Sequence, residues 1–184
     1  NLGENRMLGQ YRLQKQIGEG GMGKVFKAEH ELLKRPTAVK LLKPEFVDRE
    51  SLARFEREAR LVSRLEHFNT IRVFDYGSTP EGLFYLVMEY VDGLSLNELA
   101  DLESALPPAR AVHLLRQICY SLREAHEAGI VHRDLKPGNV MVCVRGGLYD
   151  VIKVLDFGLV KPIKSTPNEQ ITSKNLIAGT PQYM

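Results

Sequence analysis

The chain has 184 residues, of which 43% are apolar and 26% are charged, and its formal net charge is +2. This composition is that of a soluble globular protein and excludes a disordered chain, and the small charge with interspersed signs argues against nucleic-acid binding. The longest apolar run, residues 83–88, is far shorter than the roughly 20 residues of a membrane helix, and no signal peptide opens the chain, so no membrane segment is expected.

The first part of the chain predicts antiparallel strands. Residues 1–9 show little periodicity and are expected to form an exposed lead-in. Residues 11–17 alternate apolar and polar side chains, a glycine-rich stretch follows, and the apolar pattern resumes over residues 25–28. A period of two is typical of strands, so this part predicts a strand, a glycine turn and a second strand.

The glycine turn has a spacing that suits phosphate binding. Gly18, Gly20 and Gly23 have no Cβ, so backbone N–H groups there can approach a polyphosphate closely. Dinucleotide-binding folds use the same spacing, but their loop runs directly into a helix. Residues 24–28 are strand-like, which disfavours a Rossmann-type dinucleotide binder.

A lysine and a glutamate in the next two elements are candidates for an ion pair. Lys40 lies in an apolar strand candidate, where a buried ammonium needs an anion, although a solvated position is the ordinary alternative for a lone lysine. Residues 51–66 have helical periodicity, with an apolar stripe of Leu52, Phe55, Ala59, Val62 and Leu65. At about 100° per residue Glu58 falls within this stripe, so we expect its carboxylate to face Lys40.

The remaining periodic segments complete the predicted fold. Residues 71–76 and 83–90 predict two more antiparallel strands, which bring the sheet to five. Residues 109–128, with prolines before them and a glycine after them, predict a long helix. Its apolar stripe is expected to be Val112, Leu115, Ile118, Leu122 and Ala125. Residues 140–144 and 151–155 predict a hairpin.

The segment between this helix and the hairpin, residues 130–140, carries three different polar groups in a turn-rich stretch. Asp134 can accept a proton, Lys136 can hold a negatively charged oxygen, and Asn139 offers an oxygen to a hard cation such as Mg²⁺. Asp156, directly after the hairpin, is a second acidic group. These residue types predict a catalytic loop.

Six ordered motifs resemble the bacterial eukaryotic-like (Hanks-type) serine/threonine protein kinases. They are Gly-Glu-Gly-Gly-Met-Gly at 18–23, Ala-Val-Lys at 38–40, Val-Met-Glu-Tyr-Val-Asp-Gly at 87–93, His-Arg-Asp-Leu-Lys-Pro-Gly-Asn at 132–139, Asp-Phe-Gly at 156–158 and Ala-Gly-Thr-Pro-Gln-Tyr-Met at 178–184.

The resemblance implies an α+β, bilobal protein-kinase-like fold in which residues 1–10 are a lead-in segment. Residues 11–91 would form the N-lobe, a five-stranded antiparallel sheet with one αC-type helix. Residues 92–184 would form a partial, mainly helical C-lobe with the catalytic loop and the activation segment, truncated within that segment.

The resemblance also implies phosphoryl transfer from Mg·ATP to a serine or threonine hydroxyl of a protein substrate. Asp134 would accept the hydroxyl proton, and Lys136 would steady the γ-phosphate. Lys40, paired with Glu58, would position the nucleotide. Thr180 would hydrogen-bond Asp134 and Lys136, as in kinases that act on serine and threonine.

The same resemblance assigns the ligands of the cofactors, ATP and Mg²⁺ or Mn²⁺. Asn139 and Asp156 would bind the metal. Met88 would be the gatekeeper, and Glu89 to Val91 the hinge whose backbone contacts adenine. The full set of expected nucleotide-binding residues is Ile17, Gly18, Gly20, Gly23, Val25, Ala38, Lys40, Met88, Glu89, Val91 and Met141.

Regulation and location follow from the resemblance as further expectations. Arg133 would pair with a phosphate on the activation segment, with Thr172 the first choice and Ser173 the second, and a homodimer would carry out this autophosphorylation. His132 and Phe157 would stack. The cysteines fit a reducing compartment, so the protein is expected to be cytoplasmic, or the cytoplasmic domain of a membrane-anchored receptor kinase, with a role in bacterial signalling.

Two expectations follow from the length of the chain. It is shorter than a full kinase catalytic domain, so this fragment is predicted to expose apolar surface on helix 109–128 and to be of low stability and activity by itself. A non-catalytic, nucleotide-binding pseudokinase scaffold is the alternative function.

Overall fold

The computed structural model of the protein describes residues 5–20, 23–42, 49–79, 81–103 and 105–157. Two antiparallel sheets and three α-helices contain most of these residues. In this part of the chain, no helix combines the length and the apolar character needed to cross a membrane.

The larger sheet has six strands. They are β1 (Met7–Leu8), β2 (Tyr11–Gly20), β3 (Gly23–His30), β4 (Pro36–Leu42), β5 (Val73–Ser78) and β6 (Phe84–Glu89). Their order across the sheet is β1-β2-β3-β4-β6-β5, and every neighbouring pair is antiparallel. The strands from β2 onward are the five that the sequence predicts. Because the chain continues from the glycine turn into β3 and not into a helix, the Rossmann-type alternative is excluded.

The prediction of an exposed lead-in over residues 1–9 is wrong at β1, which adds the sixth strand. Leu8 pairs with Tyr11 across a tight turn, and its side chain is only 2% exposed. It belongs to the same buried cluster as Leu13 and Tyr85. Two adjacent residues are too few to show a period, so this burial could not be inferred from the pattern.

Helix α1 (Arg49–Val62) packs against the larger sheet through a small set of buried side chains. They are Phe55, Ala59 and Val62. The Phe55 ring meets Tyr76 of β5 edge to face, with the centroids 6.4 Å apart. The helix ends four residues earlier than predicted, because the chain then tightens into a turn in which Leu65 N–H donates to Val62 O.

The second part of the molecule contains the smaller sheet and two helices. Its elements are β7 (Gly93–Ser95), α2 (Leu96–Glu103), α3 (Pro108–Glu127), a 3₁₀ turn (Pro137–Asn139), β8 (Val140–Arg145) and β9 (Leu148–Val154). Strands β8 and β9 form the predicted hairpin, and β7 pairs with the other side of β8.

The buried face of α3 differs from the predicted stripe. Its buried residues are Leu114, Ile118, Ser121 and Ala125. The prediction is wrong at Val112 and Leu115, which are 64% and 57% exposed. The helix carries apolar residues on two faces, so periodicity alone could not decide which face is buried. The second face is the exposed apolar surface expected of this helix.

The segment between α1 and β5 joins the two parts of the molecule. Asn69 Nδ2 donates to Gln117 Oε1 and to Ile152 O, at 2.8 Å each. Thr70 Oγ1 and Ser121 Oγ share a buried hydrogen bond of 2.8 Å. One hydrophobic cluster also contains residues from both parts. These contacts fix the larger sheet relative to α3 and β9, and with it the cleft between them.

The hairpin of β2 and β3 provides a test of the sheet geometry. A Cβ at Gly23 would overlap the Leu41 carbonyl oxygen, whereas a Cβ at Gly20 would have no other heavy atom within 4 Å. We expect Gly23→Ala to lower the free energy of unfolding by about 1–3 kcal/mol. The control Gly20→Ala should change it by less than about 0.5 kcal/mol. Urea denaturation measures both, and equal effects would contradict the packing of β3 against β4.

Candidate active site

An apolar wall lies where the larger sheet meets the second part of the molecule. Ala38 on β4 and Met88 on β6 are cross-strand partners, and both are buried. They form one cluster with Ile71, and Val25 and Val91 pack against it. Such a wall suits the flat face of a base. The structure therefore brings together four of the residues predicted to bind the nucleotide.

The other predicted nucleotide-binding residues have different surroundings. Gly18 lies opposite Val25 in the β2–β3 hairpin, and Gly20 lies opposite Gly23. Ile17 is 47% exposed, and Met141 lies on β8 and is partly buried. Among the described residues, neither Ile17 nor Met141 belongs to the apolar cluster of Ala38 and Met88.

An ion pair between a buried lysine and a partly exposed aspartate connects β4 to the segment after β9. Lys40 is 9% exposed, and its Nζ lies 2.8 Å from Asp156 Oδ2. A buried ammonium is costly without an anion, so the Asp156 carboxylate stabilises this position of Lys40. Asp156 has a φ of +52°, a region that residues with a Cβ rarely adopt. The fold thus holds this aspartate in a strained backbone conformation.

Glu58 does not make the predicted contact with Lys40. Glu58 Oε1 lies 3.9 Å from Arg133 Nη1 of the catalytic loop, whereas Lys40 pairs with Asp156. The helical phase places Glu58 on the inner side of α1, as predicted, and its side chain is 24% exposed. Phase cannot give the distance between a helix and a strand, because that distance depends on how α1 packs. Among the described side chains, the predicted Lys40–Glu58 pair is therefore replaced by the Lys40–Asp156 and Glu58–Arg133 pairs.

The three polar residues of the catalytic loop lie together. Lys136 Nζ lies 3.2 Å from Asp134 Oδ2. Asn139 Nδ2 donates to Asp134 O at 2.8 Å and to Asp134 Oδ2 at 3.3 Å. The 3₁₀ turn closes through Asn139 N–H, which donates to Lys136 O. Asn139 O accepts from Leu155 N–H at 2.8 Å, so the loop is also tied to the residue before Asp156.

His132 holds the loop against the segment after β9. Its ring is 3% exposed and lies 4.8 Å from the Phe157 ring, in the predicted stack. His132 Nε2 lies 2.7 Å from Leu155 O, and Asp134 N–H donates to Nδ1. Burial lowers the pKa of His132, and the Leu155 carbonyl and the nearby carboxylates only partly oppose this. A neutral ring with its proton on Nε2 satisfies both hydrogen bonds.

The two predicted metal ligands offer suitable chemistry for a hard cation. Asn139 Nδ2 is engaged by Asp134, which leaves Oδ1 as the ligand atom, and Asp156 offers a carboxylate. Within the described ranges, no group of three His, Cys, Asp or Glu side chains is placed to hold a metal by itself. Mg²⁺ is usually bound by one or two protein ligands together with phosphate oxygens and water, so these two residues fit such an ion.

A buried charge cluster that the sequence patterns did not predict lies on the side of β6 away from the apolar wall. Glu89 is 6% exposed, and its carboxylate pairs with Lys153 Nζ at 3.1 Å and with Arg145. Burial, with smaller contributions from Arg145 and Arg72, lowers the pKa of Lys153 to about 8. The sequence did offer a signal for this cluster, because Glu89 and Lys153 are charged residues of opposite sign that each lie in an apolar strand.

The backbone of Glu89 limits how it could contact a nucleotide. Glu89 N–H donates to Arg72 O, so any contact of Glu89 with adenine would use its carbonyl oxygen.

Several predicted residues lie outside the described part of the chain, and their roles stay predictions. They are Gly158, Thr172, Ser173 and Thr180.

Comparison with known proteins decides the family. Residues 11–184 match the family described as the protein kinase domain. This chain belongs to the protein kinase family. The crystal structure of the PknI kinase domain from Mycobacterium tuberculosis matches with a TM-score of 0.73 and 30% sequence identity, over 88% of this chain and 64% of that chain. The resemblance and the fold class are thus confirmed, and membership of this family implies ATP and a divalent metal ion.

Similar curated proteins are bacterial serine/threonine-protein kinases. Pkn3 of Myxococcus xanthus is 43% identical over 176 residues, which are 95% of this chain and 32% of that protein. PrkC of Bacillus subtilis is 37% identical over 180 residues, 97% of this chain and 26% of that protein. PknA of Mycobacterium tuberculosis is 41% identical over 181 residues, 96% of this kinase chain and 40% of that protein. The kinase chain thus spans well under half the length of these relatives.

The buried His132 generates a prediction for the pH dependence of stability. Because its pKa is lowered on folding, the folded chain binds fewer protons than the unfolded chain between that lowered pKa and about 6.5. The free energy of unfolding should therefore fall as the pH is lowered from about 7.5 to about 5.5. His132→Phe should weaken this dependence, and His126→Gln, on the exposed face of α3, should not. Urea denaturation across this range measures it, and an unchanged slope for His132→Phe would contradict the assignment.

Proposed function

We propose that this chain carries the nucleotide-binding and catalytic groups of a bacterial serine/threonine protein kinase. The reaction is transfer of the γ-phosphoryl group of ATP to a serine or threonine hydroxyl of a protein. The observation that carries the proposal is the group formed by Asp134, Lys136 and Asn139, adjacent to the Lys40–Asp156 pair. A proton acceptor, two cations and two oxygen ligands suited to a metal thus come from both parts of the molecule.

Asp134 is the proposed acceptor of the substrate proton. Its carboxylate is held by Lys136 at 3.2 Å and by Asn139 Nδ2 at 3.3 Å, which fixes its direction. As the new bond forms between the hydroxyl oxygen and the γ-phosphorus, the bond from that phosphorus to the ADP oxygen breaks and the hydroxyl proton passes to Asp134. Lys136 stabilises the negative charge on the oxygens of the transferring group.

The nucleotide is held by the apolar wall and the glycine hairpin. Val25, Ala38 and Met88 pack on adenine, and backbone N–H groups of the hairpin approach the phosphates. Lys40 binds phosphate oxygens. Asn139 and Asp156 would hold Mg²⁺ or Mn²⁺, which would neutralise phosphate charge. Glu58 acts through Arg133 by holding the catalytic loop against α1.

The remaining expectations extend this function. A homodimer would allow autophosphorylation on Thr172 or Ser173, and the protein would act in the cytoplasm, either by itself or as the cytoplasmic part of a membrane-anchored kinase. The non-catalytic scaffold is not favoured, because the motif set retains Lys40, Asp134 and Asp156.

The role of Asp134 is testable by phosphotransfer. Asp134→Asn should reduce the rate by at least about 100-fold, because it removes the proton acceptor while keeping the shape of the side chain. Mg·ATP affinity should stay within a few fold. Asp101→Asn, the same change on the exposed surface of α2, is the control and should leave the rate unchanged.

The assay uses this chain and a version extended to the full domain length, with phosphorylated protein detected by mass spectrometry. Retention of the wild-type rate by Asp134→Asn would refute the role, and no phosphotransfer by either length of the unmodified protein would refute the function.

A further inference from the structure

A second cavity, of about 530 Å³, lies on the side of β6 away from the apolar wall. It is formed where the β3–β4 connection, the start of β5, the linker after β6 and the β8–β9 hairpin meet. Residues that line it include Arg35, Arg72, Phe74, Tyr90, Val144 and Arg145. Side chains alternate along a strand, so Glu89 faces this cavity while its neighbour Met88 faces the candidate nucleotide site. The two sites therefore use opposite faces of β6, and they meet at Val91, which lines this cavity and also packs against the apolar wall.

Positive charge exceeds negative charge around this cavity. Arg145 is held there by the buried Glu89, which Lys153 also contacts at 3.1 Å. Arg35 and Arg72 add two further cations, and both residues are exposed. Asp92 is the other carboxylate of the lining. The three arginines of the lining, together with Lys153 buried behind Glu89, thus give four cations against two carboxylates, a surplus of two positive charges.

The two exposed arginines are available to a ligand. Within the described part of the chain, neither Arg35 nor Arg72 has a carboxylate at salt-bridge distance. The Arg35 guanidinium lies over the Phe74 ring, 3.9 Å from its centroid, so an aromatic surface orients it. A guanidinium held in this way keeps its N–H groups for a planar or tetrahedral oxyanion.

Two of the arginines around the cavity also act on the buried lysine behind it. After burial itself, the nearby charges of Arg145 and Arg72 are the largest causes of the lowered pKa of Lys153. An anion bound between these arginines would offset that repulsion.

We propose that this cavity is a second ligand site, which binds the phosphate of a phosphorylated serine or threonine within a polypeptide. A phosphomonoester carries about −1.5 to −2 charges at pH 7, which matches the surplus, whereas a carboxylate carries one. The walls also include Phe74, Tyr90 and Val144. Their apolar surfaces can contact the hydrocarbon part of a peptide but would not stabilise a free phosphate ion. The assignment does not depend on catalysis, and its test is a binding measurement without ATP.

The test uses a short fluorescein-labelled peptide with one phosphothreonine among uncharged residues, and fluorescence anisotropy with the whole chain. The phosphorylated peptide should bind at least about tenfold more tightly than the same peptide with threonine, because charge-assisted hydrogen bonds to arginine are lost without the phosphate. The double variant Arg35→Gln/Arg72→Gln should lose at least about tenfold in affinity for it.

The matched control is Arg57→Gln/Arg64→Gln, which removes the same charge from α1 and the turn that follows it, and should change the affinity by less than about twofold. Equal binding of the phosphorylated and unphosphorylated peptides, or unchanged affinity in the Arg35/Arg72 double variant, would overturn the proposal. Equal binding of a peptide with glutamate at the same position would overturn the preference for phosphate. If inorganic phosphate displaced the labelled peptide at a concentration equal to the peptide's dissociation constant, the assignment to a polypeptide would be overturned.

A second measurement needs no variant and so does not depend on how the variants fold. The phosphopeptide should protect Arg35 and Arg72 from modification by phenylglyoxal, read by mass spectrometry, while Arg64 continues to react. Equal modification of Arg35 and Arg72 with and without the phosphopeptide would overturn the proposal.

Discussion

A buried ammonium must have a carboxylate beside it, and this kinase chain supplies that carboxylate from the other part of the molecule. Lys40 lies in the middle of the larger sheet, and Asp156 follows the last strand of the smaller one, 2.8 Å away. Because the pair can form only when both parts are docked, the contacts that dock them determine the site. The Asn69 and Thr70 hydrogen bonds are such contacts. The shape of the cleft and the position of its charged groups therefore depend on the same contacts between the two parts.

The hinge separates two sites with different electrostatics. On the cleft side, Ala38 and Met88 present an apolar surface. On the other side, Glu89 is buried with Lys153 and Arg145, and exposed arginines surround them. Breaking a buried ion pair by removing one partner is costly, so this cluster also restrains the linker between the two parts. A ligand in the second cavity would contact β5, the linker and the β8–β9 hairpin at once.

Local patterns predicted most of the elements, and packing decided what they could not predict. The strands from Tyr11 onward, except β7, and the long helix follow from periodicity and from the prolines and glycine at the helix ends. Periodicity failed at Leu8, where the strand is too short, and on α3, where two faces are apolar. It gave the direction of Glu58 but not its partner, because separations between elements are set by the whole core. The cluster at Glu89 was missed because a single charged residue in a strand does not identify its partner.

The central claim is that Lys40 and Asp156 are in contact across the cleft, and a double-mutant cycle tests it most directly. Lys40→Met, Asp156→Asn and the double variant are compared with the unmodified kinase chain by urea denaturation. The described geometry predicts that the effects of the two single changes are not additive, with a coupling free energy of about 0.5–3 kcal/mol. Additive effects, with a coupling within about 0.3 kcal/mol of zero, would contradict the contact and the site built on it.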